Sequence, residues 1–296
     1  MLIKTMMLAC VIAFLIFIAI TVYAWFTKTM FVLDASDSPS LPRKFRAMFD
    51  ISDMHIAGGG QFSQAGFATI LKTLDTKQLT VIDLRQELHG FLNEHAVSWF
   101  GVYNADNRHK STTEIENIQA KMLAQIAQKK NVKVACIEQK TSEGRIEKLK
   151  PISMSVQSVI SEGDWLKQQG HQYFRIYVQD YHAPTPNEVD RFIMIFKQLP
   201  KDQWVYFHCR AGIGRTTVFM TLYDMMLHAK QTSFNQIIDR QVVAGGKDLR
   251  KLIPKTHYKY QWHKDRLDFM KEFYQYAREN QDAFETSFSE WQAKPN

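Results

Sequence analysis

Val205-Tyr206-Phe207-His208-Cys209-Arg210-Ala211-Gly212-Ile213-Gly214-Arg215-Thr216-Thr217 decides the fold. An aromatic, apolar run feeds a cysteine. A loop with two glycines follows, and Arg215 leads into Val218, Phe219, Leu222, Met225 and Met226 at helical spacing. The pattern predicts strand, loop and helix. Gly212 and Gly214 permit the unusual dihedrals that let successive backbone N–H groups converge on one point. The helix beyond adds its positive N-terminal end. Together they make a cradle for a phosphate-sized dianion with a sulfur at its floor.

The same field acts on the sulfur. A free thiol titrates near 8.5, and a helix N-terminus with nearby cations lowers this to roughly 3.5–7.5 in reactive sites. Cys209 is therefore expected as a thiolate nucleophile. Arg215 offers a planar fork for two phosphoryl oxygens, and Arg210, Ala211, Gly212, Ile213 and Gly214 complete the anion-holding loop. Thr216 can give its hydroxyl to the departing sulfur, and His208 can donate to the loop backbone from behind. A buried cysteine in an ordinary turn would explain Cys209 alone. It does not explain His, Ala-Gly, Gly-Arg and Thr-Thr around it. The segment resembles the His-Cys-x5-Arg-Thr signature of protein tyrosine phosphatases.

The chain has 296 residues, 45% hydrophobic, and a net charge of +7. That suits one domain of about 250 residues with a sizeable core. Three cysteines, Cys10, Cys136 and Cys209, exclude a disulfide framework. No Cys/His cluster has metal-ligand spacing, and no basic run with interleaved aromatics points to nucleic acid. Met6 to Phe26 is apolar and uncharged, flanked by Lys4 and Lys28. It is long enough to cross a bilayer as a helix. A signal peptide cleaved after Val22-Tyr23-Ala24 is the rival, and the length of the run favours an uncleaved anchor. Residues 31–41 are expected as a linker, with the catalytic domain over 42–296.

Gly58-Gly59-Gly60 is read as a turn, and Ser63 as the cap of a helix with Phe67, Ile70, Leu71 and Leu74 on one side. Leu79 to Leu84 is a strand by its β-branched content. It ends in Arg85-Gln86-Glu87-Leu88-His89-Gly90, either a site or a capped turn with an ion pair. Ser111-Thr112-Thr113-Glu114 is a capping box. Val132 to Ile137 is a strand, and 138–152 a loop or hairpin. Val156, Val159, Ile160 and Leu166 suggest a helix ended by Gly170, and Tyr173 to Val178 another strand. That strand empties into Gln179-Asp180-Tyr181-His182-Ala183-Pro184. Thr185, Pro186 and Glu188 then mark a helix start. Alternating strands and helices predict an α/β fold around a largely parallel sheet. Lys247, Arg250, Lys251, Lys255, Lys259, Lys264, Arg266 and Lys271 form either a solvated face or, in part, the mouth of the pocket. Phe269, Phe273, Tyr276 and Trp291 suggest a C-terminal helix on the core.

Phosphoryl transfer from an alcohol needs a general acid, because alkoxide is a poor leaving group. Asp180, on a short proline-bounded loop after a strand expected beside the one leading to Cys209, is the candidate, with Asp83 and Asp106 behind it. Asp83-Leu-Arg-Gln-Glu-Leu-His-Gly90, Ser98-Trp99-Phe100-Gly101, Asp180 before Pro184-Thr185-Pro186, and the Cys209 loop together resemble the bacterial cysteine phytases. The resemblance runs from about Arg43 to Trp291. It implies a tyrosine-phosphatase-like fold and a phosphatase of myo-inositol polyphosphates that uses neither metal nor cofactor. It also implies Cys209 as nucleophile, Arg215 as clamp, Asp180 as acid, and Arg46, Lys259 and Arg266 on the outer phosphates. Three positions depart from the family pattern. Asn104 stands where an aspartate occurs, Tyr181 replaces a histidine, and no His-Lys pair lies within 138–150.

The same Cys, Arg and Asp would serve a protein tyrosine or dual-specificity phosphatase, or a phosphoinositide phosphatase. A catalytically dead phospho-binding module is the reading from another class. The expected partner is a small anionic substrate, with membrane attachment through residues 6–26. The expected location is bacterial, anchored or exported, with delivery into a host cell as a further option.

Overall fold

A computed structural model of the chain describes residues 29–51, 53–101, 104–141, 146–200 and 202–294. The first half carries β1 (Met30–Ala35), β2 (Arg46–Ala47), β3 (Ile56–Gly59), α1 (Gln64–Thr73), β4 (Thr80–Asp83), β5 (His89–Leu92), β6 (His95–Phe100), α2 (Thr112–Ala127), β7 (Asn131–Lys140) and β8 (Ile146–Ser155). Then come β9 (Val159–Ile160), α3 (Glu162–Gln168), β10 (Gln172–Arg175), α4 (Pro186–Gln198), β11 (Val205–His208), α5 (Gly214–His228), α6 (Phe234–Val243), α7 (Tyr260–Glu279) and α8 (Phe288–Gln292).

The strands form two sheets. One runs β10-β4-β11-β3-β2 and is parallel except for β2. β11 lies at its middle, with all four residues buried. The register pairs His208 with Gly59 on one side and with Asp83 on the other. The C-terminal ends of β3, β4 and β11 therefore meet, where open α/β sheets place their sites. The second sheet, β8-β7-β1-β6-β5-β9, is antiparallel apart from the β1–β7 pair. The expected largely parallel sheet is thus half of the architecture, and the fold is mixed.

The helix after Cys209 is central. Residues 215–226 of α5 are all buried, between the sheet and helices α6 and α7. Phe192 of α4 and Phe219 of α5 meet edge to face, 5.2 Å between centroids, in a cluster that also takes Phe273 and Phe288. Capping chemistry sets the helix starts as expected. Ser63 accepts from Gly66 N, and Ser111–Glu114 and Thr185–Glu188 form capping boxes.

Four expectations are corrected. The supposed linker 31–41 opens with β1, hydrogen-bonded to β6 and β7. Its Phe31-Val32-Leu33 continues the apolar N-terminal run and so hides a strand in it. Gly58-Gly59-Gly60 is the end of β3 plus a bridge from Gly60 to Ala211, not a turn. A side chain at Gly58 would meet Met220 and Thr216, so the glycines let α5 and the loop press onto the strand. Val159 and Ile160 pair with Leu92 and Phe91 as β9. The helix beyond begins only after Ser161, whose hydroxyl accepts from Asp164 N. Finally, β4 separates β10 from β11, so the Asp180 loop does not follow a strand adjacent to the nucleophile's.

The expected anchor, residues 6–26, lies outside the described residues. Among those described, no helix is long and apolar enough to cross a membrane.

Candidate active site

Cys209 sits at the end of β11, 3% exposed. The loop after it turns at Gly212, whose φ of +74° only glycine adopts freely. A Cβ there would collide with the Gly59–Gly60 backbone. The Thr216 hydroxyl lies 3.3 Å from Sγ and 3.2 Å from the Gly59 carbonyl oxygen. Burial alone would push the Cys209 thiol up. The Arg215 guanidinium and the Thr216 hydroxyl outweigh it and hold the thiol below its usual value. The thiolate expected from sequence therefore has its counter-charge in place.

Arg215 is held on several sides. Its Nη1 donates to Glu87 Oε2 at 2.7 Å and to the carbonyls of Leu84 and Val178, and its Nη2 to Glu87 Oε1 at 2.9 Å. Asp180 Oδ1 is 3.4 Å from Nη2. Glu87 also accepts from Arg85 Nε. Burial would raise the Glu87 carboxyl, but Arg215 and Arg85 keep it well below the carboxylate range. The sequence left Glu87 open between a site and a surface ion pair. It is a buried clamp on Arg215.

Asp180 faces the same cavity as Cys209, Ala211, Ile213, Gly214 and Arg215. The backbone N–H of Tyr181 donates to its Oδ1, and Asn104 Nδ2 donates to its Oδ2 at 3.3 Å. Asn104, one of the departures from the family pattern, therefore holds the candidate acid. The runners-up lie elsewhere. Asp83 is buried against His89, Arg175 and Tyr173. Asp106 accepts from Thr29 in a neighbouring cavity.

The cavity encloses about 340 Å³, and Lys247, Lys259, His263 and Arg266 are also in its lining. Arg266 Nη1 lies beside Gly214, and Lys259 Nζ stands 3.7 Å above the Tyr181 ring. Burial, then the cations Arg266, Lys247 and Lys259, push His263 down to about 4, so it adds no charge at neutral pH. The other cations of the C-terminal cluster are not in the lining. Arg250 pairs with Asp239 and Asp248, and Lys264 with Asp268.

Three of the expected residues have protein partners of their own. Arg46, expected on an outer phosphate, bonds the loop and the helix after it. Its Nη1 donates to the Gly212 and Lys44 carbonyls and its Nη2 to the Thr217 hydroxyl. Arg210, counted as a substrate cation, places Nε 2.6 Å from the buried carboxylate of Asp34 and its guanidinium over the Phe100 ring. His208 does not brace the loop backbone. Its Nε2 is 2.8 Å from Glu162 Oε1. Burial would lower this imidazole, but Glu162 raises it above its usual value. Asp83, His89 and Glu162 bring their ligand atoms within 4.8 Å of one another. Each is already engaged, Glu162 by His208 and Gln61 as well. Asp34 also meets Arg85 at 2.9 Å, tying β1 to the site.

Comparison with known proteins shows which family the chain resembles. A family model described as PTP-like phytase, inositol hexakisphosphate, matches residues 82–227. The structure of a PTP-like phytase from Bdellovibrio bacteriovorus is 31% identical, with a TM-score of 0.75 over 90% of this chain and 96% of that one. The tandemly repeated protein tyrosine phosphatase like phytase of Mitsuokella multacida is 29% identical. Its TM-score is 0.81 over 91% of this chain and 50% of that one. The PTP-like myo-inositol phosphatase of that organism has also been solved in complex with myo-inositol-(1,3,4,5)-tetrakisphosphate, with the same similarity. The effector protein hopD2 of Pseudomonas syringae pv. tomato is 26% identical over 250 residues, 82% of this chain and 52% of hopD2. The chain thus spans about half the length of hopD2 and of the Mitsuokella protein.

Proposed function

This chain belongs to the PTP-like phytase family, and from that premise we propose that it is a cysteine-dependent phosphatase of myo-inositol polyphosphates. One observation carries the reading. Cys209, Arg215 and Asp180 face one cavity that Lys247, Lys259 and Arg266 also line. A single phosphate needs only the loop. The extra cations suit a small ring bearing several.

In the reaction the Cys209 thiolate attacks phosphorus. A P–S bond forms, the P–O bond to the ring breaks, and Asp180 gives its proton to the leaving oxygen. Arg215 and the loop N–H groups hold the phosphoryl oxygens as charge builds on them. Asp180, now a carboxylate, takes a proton from water as the water oxygen attacks phosphorus. The P–S bond breaks, and Cys209 leaves as a thiolate with the Thr216 hydroxyl beside it. Glu87 keeps the Arg215 fork aimed throughout.

Tyr181 at the cavity edge, with its ring 6.2 Å from that of Trp262, favours a second reading, an aromatic phosphoester such as phosphotyrosine. Phosphate release from inositol hexakisphosphate and from a phosphotyrosine peptide, measured side by side, decides between them. The first reading requires the higher kcat/KM on the inositol phosphate, and the reverse order overturns it. The run Met6 to Phe26 is read as a membrane attachment. The full chain should then stay in membranes through a high-salt wash, whereas a soluble chain beginning just after Ala24 would make it a signal peptide. Location on the bacterial membrane, export, or delivery into a host cell follows from how that segment is processed.

A further inference from the structure

We infer that the rim of the active cavity docks on an anionic lipid surface, and that the inositol ring it takes includes the phosphorylated headgroup of a membrane lipid. This rests on the phosphatase reading above and names a source for its substrate.

The rim is apolar where a site for a free polyanion has no use for apolar surface. Ile213, within the phosphate loop and lining the cavity, is 39% exposed. Leu252 is 38% and Tyr258 37% exposed. Leu252 and Tyr258 belong to the segment joining α6 to α7, whose Lys247, Ile253, His257 and Lys259 line the same cavity. Exposed apolar residues and cavity-lining cations are thus interleaved along one segment. Lys251 and Lys255 flank Leu252 and are exposed, and neither is ion-paired among the described residues. An exposed leucine between lysines matches an anionic interface, where apolar groups enter the headgroup boundary and lysines meet lipid charge. Two lysines at such a surface strengthen attachment roughly 30-fold.

The path of the chain points the same way. The Thr29 hydroxyl donates to Asp106 Oδ2, and Asn104, two residues earlier in that loop, donates to Asp180. Thr29, Asn104 and Asp106 line one cavity. The chain therefore enters the domain two contacts away from the candidate acid. Phe26, the last residue of the apolar run, is three residues before Thr29, and three residues reach at most about 10 Å. A bilayer holding that run would lie within about 10 Å of Thr29. The reaction is the one already derived. A ring monoester phosphate goes to Cys209 and then to water, and Asp180 protonates the ring oxygen that leaves.

The test reconstitutes the full chain in phosphatidylcholine vesicles carrying about one-fifth phosphatidylserine and a phosphoinositide bisphosphate. Phosphate release is compared with release from soluble inositol tetrakisphosphate in the same preparation. The inference requires hydrolysis of the vesicle lipid. It also requires that Lys251→Glu/Leu252→Asp/Lys255→Glu lower that rate roughly tenfold or more, with the soluble substrate unchanged. Hydrolysis of the soluble substrate alone, or a vesicle rate indifferent to the triple variant, overturns the docking and leaves the phosphatase reading standing. Parallel loss on both substrates, repeated with the milder Leu252→Ser, overturns it as well. No turnover of either substrate by the unaltered chain removes the phosphatase reading and this inference together.

Discussion

Glu87 holds Arg215 with both carboxylate oxygens, at 2.7 and 2.9 Å, across 128 residues of sequence. The fork that would bind phosphoryl oxygens is thereby fixed before any substrate arrives. Preorganisation of this kind matters because a misplacement of about 1 Å costs on the order of 10² in rate. Glu87→Gln should lower kcat by roughly that factor with a smaller change in KM. The variant should also melt earlier, because it leaves a buried arginine short of its counter-charge. Burial raises the Glu87 carboxyl and the two arginines more than reverse that, so its folded pKa lies below the unfolded one. Its contribution to stability is present above the unfolded value, roughly 4.3, and is lost as pH falls below it. Glu87→Gln should flatten the fall of Tm over that acid range. An unchanged Tm profile and full activity would remove the clamp.

Asp180→Asn keeps the shape and removes the transferable proton. Hydrolysis of inositol phosphates, whose leaving group is an alkoxide, should fall by roughly 10²–10⁴. The phosphoenzyme-forming step with an activated aryl phosphate should lose much less. Rapid-quench measurement of that step on both substrates checks it, and equal small losses would assign the acid elsewhere.

Thr216→Val removes the hydroxyl 3.3 Å from Sγ. A hydrogen bond to a charged group contributes about 1.5–3 kcal/mol, so the Cys209 pKa should rise by about one unit or more. Because the thiolate is the reactive form, the acid limb of kcat/KM should move to higher pH. The pH dependence of iodoacetate inactivation should shift with it. A limb that stays in place would mean that Arg215 alone sets the thiolate.

Lys259→Ala and Arg266→Ala should each raise KM for inositol hexakisphosphate and reduce its dependence on salt, since the removed charge is one of those screened over about a Debye length. A simple aryl phosphate should respond less. Kinetics unchanged on both substrates would show that this wall does not meet the substrate.

What sequence makes legible here is local. The Cys209 loop is readable because strand, glycines and helix are contiguous, and the Asp180 loop because Thr185, Pro186 and Glu188 mark the helix after it. What stayed hidden is the second partner of each charge. Arg46 and Arg210 add to a count of cations, but only the fold commits one to the Gly212 carbonyl and the other to Asp34. Glu162 was placed inside a supposed helix of apolar residues. It is the first residue of a shorter one, beyond its Ser161 cap, buried against His208. The Ser161-Glu162-Gly163-Asp164 pattern was the available signal. Asp34 was hidden because Phe31-Val32-Leu33 merges with the apolar run before it.

The pocket draws on both ends of the chain. Asp34 near the start steadies Arg210, and Arg266, more than fifty residues after Cys209, completes the cationic wall. Translation makes these pieces in order, so a nascent chain that has just exposed Cys209 still lacks the wall from Lys247 to Arg266. The proposed nucleophile is made before the residues proposed to select the substrate. A chain truncated ahead of α7 would carry the signature loop without the residues proposed to choose its substrate, so a fragment of this protein is a poor guide to what the whole one prefers.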